Sequence, residues 1–225
     1  GVNELLDDDG VFIIEVYYLK ELIEKNLFDT IYHEHLSYFT AKTMASLMER
    51  KGLQLFDVEI TDTHGGSLRA YVQKKAGKHK VTNAVEDFIK GENLRELHDI
   101  NTYIKFAGQI ENNKKALLEL LRNLKSQNKK IAGYGAPAKG NTLLNYFGIG
   151  AEILDYIVDD SAWKQGLYTP GTRIPVTDAE EILRRKPDYI LILAWNFAEQ
   201  ITQKLEWFKA GGGKFIVPVP EPKVI

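Results

Sequence analysis

The feature that most constrains this chain is the alternation that begins at Ile131. Strand-like segments at 131–135, 153–158, 188–193 and 215–219 alternate with helix-like segments at 141–147, 178–185 and 197–209. Parallel strands need a crossover between them, and a helical crossover covers a sheet face. Strict alternation therefore specifies a parallel, helix-covered sheet. Such sheets bind ligands outside the carboxyl ends of their strands. There the sequence places Gly133-Tyr134-Gly135-Ala136-Pro137-Ala138-Lys139-Gly140, Asp159-Asp160, Trp195-Asn196 and the proline-rich 218–222. These residues are expected to line one cleft. The amides of the glycine turn, the next helix's N-terminus and the Lys139 ammonium suit a phosphate or diphosphate. The turn is neither a Walker A loop, since Asn141 stands where a serine or threonine would hold magnesium, nor a well-spaced dinucleotide fingerprint, although Asp159 lies near where a ribose-binding acid is expected. Tight strand-to-helix packing is the competing explanation of the glycines.

The first half is organised differently. Val11-Phe12-Ile13-Ile14-Glu15-Val16-Tyr17-Tyr18 is a continuous apolar run of the kind found in a strand buried on both faces. A short helix follows over 19–26. Thr40 is placed to cap a second helix with Met44, Leu47 and Met48 at helical spacing. Strands are expected over 53–60 and 67–73, joined by Thr61-Asp62-Thr63-His64-Gly65-Gly66, whose paired glycines supply positive φ. Residues 83–128 are polar and helical, with Leu117, Leu121 and Leu124 in period, and read as a connector between two sheets. The fold class is thus α/β, in three parts: residues 1–82, a helical connector over 83–128, and a parallel-sheet domain over 129–225.

Proton-handling side chains concentrate in Tyr32-His33-Glu34-His35-Leu36-Ser37-Tyr38-Phe39. An imidazole, a carboxylate and a phenol within four positions can supply a base, its orienting partner and a hydrogen-bond donor. Helix capping with a core role for Tyr38 and Phe39 is the plainer reading. His33 and His35 as metal ligands would need both on one side and further ligands converging, and no metal set is assigned. Arg69, two positions beyond Ser67 and near His64, can meet a charged ligand. The net charge of −2 gives no field for nucleic acid or an anionic membrane. The absence of cysteine removes disulfides and thiolate chemistry. With no apolar run of about 18 residues and no basic-then-apolar leader, the expectation is a soluble, cytoplasmic protein, monomer or dimer.

Taken with His64-Gly65-Gly66-Ser67-Leu68-Arg69, Val158-Asp159-Asp160, Lys164-Gln165-Gly166 and Pro170-Gly171-Thr172, the Tyr32 run, the glycine turn and Trp195-Asn196 resemble the sugar C-methyltransferases that act on nucleotide-linked keto-deoxysugars. The resemblance covers nearly the whole chain, in order. It implies an S-adenosylmethionine-dependent enzyme with a zinc-binding N-terminal module, a methyltransferase domain and a Rossmann-like C-terminal domain. This sequence would begin near the fifth strand of the methyltransferase sheet. Residues 1–82 would then be the end of that domain, the cofactor loop and zinc module would lie outside the chain, and the fragment would be inactive alone. The substrate implied is a nucleoside-diphosphate keto-deoxysugar, with no nucleic-acid or membrane partner. By resemblance His35 is the base that removes the proton α to the ketone, with Glu34 and Tyr32 orienting it or stabilising the enolate. His64, Arg69, Tyr134, Lys139, Asn141 and Asn196 are substrate contacts. Two other expectations are a non-catalytic nucleotide-sugar binding module and a dinucleotide-dependent enzyme using the C-terminal unit.

Overall fold

The computed structural model describes residues 1–225, the side chain of His64 excepted. The chain forms two compact units, one of residues 1–27 with 37–107, the other of residues 28–36 with 108–225.

In the first unit, α1 (Val2–Leu5) is followed by β1 (Phe12–Tyr17), α2 (Leu19–Glu24), α3 (Ala41–Glu49), β2 (Leu53–Thr61), β3 (Ser67–Lys74) and α4 (Asn83–Leu94). The strands form an antiparallel sheet in the order β1-β3-β2. Central β3 sends Leu68, Ala70 and Val72 into a core shared with Met44, Leu55 and Val58, so the period of two decides which face is buried. Thr40 caps α3 in a reciprocal box with Thr43: each backbone N–H donates to the other residue's hydroxyl. Buried Glu92 of α4 accepts from the amides of Ala41 and Lys42, so a carboxylate occupies the positive end of α3.

Two expectations need correction here. β1 is not buried on both faces. It pairs only with β3, its inward residues Phe12, Ile14 and Val16 pack on the core, and Ile13 is 55% exposed on the other face. An apolar run reports strand propensity but not how many faces are covered. The stretch 83–128 also does not stand apart as a connector: α4 packs on β2 and α3, and the boundary between the units falls inside α5 (Ile100–Ser126).

In the second unit, α5 is followed by β4 (Ile131–Tyr134), α6 (Ala138–Phe147), β5 (Ile157–Val158), β6 (Val176–Thr177), α7 (Glu180–Arg185), β7 (Tyr189–Ile192), α8 (Ala198–Lys204), α9 (Glu206–Ala210), β8 (Lys214–Val217) and β9 (Lys223–Val224). The sheet order is β6-β5-β4-β7-β8-β9, parallel except for β9. The fold is α/β with a mostly parallel six-stranded sheet, Rossmann-like in order. Strand order reverses between β4 and β7, which makes their carboxyl ends a topological switch point. β6 and β9 have two residues each, too short to leave a period in the sequence. Among the described residues, no helix is long and apolar enough to cross a membrane.

Candidate functional site

The site grows from the link between β4 and α6. Gly135 sits at φ +86°, and a Cβ there would come within 2.7 Å of the Ala194 side chain, so only glycine lets the chain turn this close to the end of β7. The turn's amides are not free, contrary to expectation. The Gly135 N–H donates to the Val158 carbonyl at 2.7 Å and that of Ala136 to Asp159 at 2.6 Å. Asp159 also accepts from Ser161 N–H and Lys164, while its own carbonyl accepts from Gln165. It clamps two loops together, and this accounts for much of the Asp159-Asp160 and Lys164-Gln165 pattern.

The free donors lie one step further on, in the first turn of α6, where helix geometry leaves N–H groups without an internal partner. Lys139 stands there. Its ammonium lies 4.0 Å from the centre of the Trp195 ring and donates to the side-chain oxygen of Asn196. Burial drives its pKa down to about 8, opposed by the charge of Asp29. It forms no ion pair among the described residues. A half-buried cation at the positive end of a helix, without a neutralising carboxylate, is a seat for an external anion. Nearby in the same turn, Asn141 donates to the Pro137 carbonyl at 3.3 Å while its side-chain oxygen is buried without a hydrogen-bond partner.

Residues 28–36 belong to this unit rather than to the first, which places Tyr32, His33, Glu34 and His35 in one unit with Lys139, while Ser37, Tyr38 and Phe39 fall in the first. Phe28 stacks on Phe147 of α6 at 5.0 Å between ring centres and moors a 3₁₀ turn, Phe28–Thr30, against the helix. The next residue, Asp29, is fully buried and accepts the indole N–H of Trp195. Burial pushes its carboxyl up to about 6, against the pull of Trp195 and Lys139. Sequence reasoning missed Asp29: a lone acid after Leu27-Phe28 has no spacing to mark it, and only tertiary contact makes it special.

Three residues on, the Tyr32 hydroxyl is 2.9 Å from His35 Nε2, with the two rings edge to face at 4.7 Å. Burial raises the Tyr32 pKa, and the charges of Glu34 and Asp29 raise it further. Glu34 is exposed and acts on Tyr32 through its charge.

Other expected site residues fall elsewhere. The Tyr134 hydroxyl donates to Asp160, which is also paired with Lys204 at 2.6 Å. With Gly135 and Phe197 these three line a cavity of about 300 Å³ at the switch point. Residues after β4, β5 and β7 thus share one cavity, with Gly135, Asp159 and Ala194 on its wall. Arg69 belongs to the first unit, where Glu15 at 2.8 Å and Glu59 at 3.0 Å neutralise it across the sheet. The side chain of His64 lies outside the described residues. Among those residues, no three histidine, aspartate or glutamate side chains gather as a metal site.

The family described as C-methyltransferase C-terminal domain matches residues 62–220. Over all 225 residues the chain is 42% identical to the C-methyltransferase NovU of Streptomyces niveus, and it spans 54%, about half, of that protein's length.

Proposed function

The chain belongs to the C-methyltransferase family, and from that premise we propose that it is the carboxyl-terminal part of an enzyme that methylates the carbon beside the keto group of a nucleoside-diphosphate deoxysugar. The observation that carries the proposal is the gathering, in one compact unit, of the unpaired Lys139 cation and the Tyr32–His35 pair. The family chemistry needs both: a grip on an anionic handle, and a proton acceptor beside an enolate-stabilising donor.

In this reading Lys139, Asn141 and Asn196 hold the diphosphate, with the first-turn amides of α6 completing the seat. His35 removes the proton α to the ketone. Tyr32, kept as a neutral phenol by burial and by the Glu34 and Asp29 charges, donates to the oxygen on which negative charge develops. Glu34 keeps that phenol protonated. Tyr134, on the wall of the switch-point cavity, meets a less polar part of the ligand. Arg69, neutralised by Glu15 and Glu59, is assigned to the sheet; His64 is retained as a substrate contact on the family resemblance alone. S-adenosylmethionine supplies the methyl group when bound. No residue of this chain is assigned to hold it.

Calorimetric titration of the 225-residue chain with thymidine, uridine, cytidine and guanosine diphosphates tests the handle. Saturable binding of one of them, lost in Lys139→Ala, is expected; no binding of any would remove the reading. In a full-length enzyme, His35→Asn should cut turnover by about 10²-fold or more while leaving substrate affinity nearly intact. Near-normal turnover would contradict the assignment of the base.

A further inference from the structure

In the chemistry above Asp29 acts only through its charge on Tyr32 and touches no substrate, yet it is held at both ends by aromatic contacts. It is fully buried on a turn moored by the Phe28–Phe147 stack, and its one side-chain hydrogen bond to another residue among those described is the indole N–H of Trp195. Trp195 in turn presents its ring face to the Lys139 ammonium at 4.0 Å, while the neighbouring Asn196 accepts from the same ammonium. An indole on a short 3₁₀ segment, Trp195–Phe197, has freedom to rotate unless its N–H is held. A buried carboxylate is a strong acceptor for that purpose.

We propose that Asp29 is a positioning residue of the anion site: by holding the Trp195 N–H it fixes the aromatic face on which Lys139 rests, and so aims the ammonium at the anion. This rests on the assignment of Lys139 to the diphosphate. The anchoring tolerates loss of the Asp29 charge but not of its acceptor. Asparagine at 29 keeps an oxygen in place, whereas leucine, of similar size, offers none.

NMR on the 225-residue chain reads this directly. Lys139 methylene protons over the indole face resonate upfield. Asp29→Asn should keep that shift and Asp29→Leu should lose it. Because both variants are neutral at 29, their affinities for inorganic pyrophosphate compare cleanly, and Asp29→Leu should bind about tenfold more weakly than Asp29→Asn. Should Asp29→Leu fail to fold, the wild type decides. The Trp195 indole N–H and the Lys139 methylene resonances should move together as the Asp29 carboxyl titrates, and this joint response should vanish in Asp29→Asn. An upfield shift that survives in folded Asp29→Leu, or resonances that titrate independently, would overturn the proposal. Unchanged pyrophosphate binding in Lys139→Ala would instead remove the anion assignment while leaving the Asp29 anchoring standing, so the two failures are distinguishable.

Discussion

The second unit contains two groups made from the same three ingredients: a lysine, an aromatic ring and an aspartate. In one, Lys204 is bonded to Asp160 at 2.6 Å beside the ring of Tyr134, near solvent. Mutual attraction lowers the aspartate pKa and raises that of the lysine. In the other, Lys139 rests on the Trp195 ring and buried Asp29 accepts the indole N–H, with no ion pair between them among the described residues. Burial there drives the lysine down to about 8 and the aspartate up to about 6. The difference lies in distance and solvent rather than in residue type. Contact lets opposite charges neutralise one another and makes a strut; without contact the buried Asp29 acts on Lys139 only through its field, and the half-buried ammonium keeps capacity for another anion.

The sharpest way to break the comparison is to unmoor the buried group. Phe28→Ala removes the ring stacked on Phe147 and should cost about 3 kcal/mol of stability in denaturant unfolding. A cost near zero would mean the 3₁₀ turn is held by other contacts. Next comes pH. The folded-state pKa of Asp29 is raised, so its contribution to stability is present in acid and lost as pH rises through about 6, a decline of up to about 3 kcal/mol that Asp29→Asn should abolish. The folded-state pKa of Asp160 is lowered, which reverses the sign: its contribution is present at neutral pH and lost as pH falls below the ordinary carboxylate range. For ligand binding, Lys139→Ala should weaken nucleoside-diphosphate affinity about tenfold or more in calorimetry, and Lys204→Ala by less than about twofold. Equal losses would erase the distinction. The smallest effect is the stability change in Lys204→Ala, expected below about 1 kcal/mol because the pair is near solvent.

Much of the fold was legible because it is periodic. The alternation after Ile131 carried the parallel sheet, the period of two in Leu68, Ala70 and Val72 carried the buried face of β3, and Thr40 carried the start of α3. The dipeptide strands β6 and β9 have no period to read. In the site, Tyr32, His35 and Lys139 were legible as unusual chemistry. Asp159 was legible as an acid at a strand's carboxyl end, but its bonds to loop amides and Lys164 were not.

The order of amino acids alone settled most of the strands and helices, that the second sheet is mainly parallel, and which residue types are available for proton transfer and anion binding. These follow from local periodicity and from side-chain chemistry. Tertiary structure decided that residues 28–36 join the second unit, that Arg69 is neutralised while Lys139 is not, and that an isolated aspartate lies beneath a tryptophan. Burial and charge pairing depend on what lies across the fold, and a residue's neighbours in sequence carry no record of that.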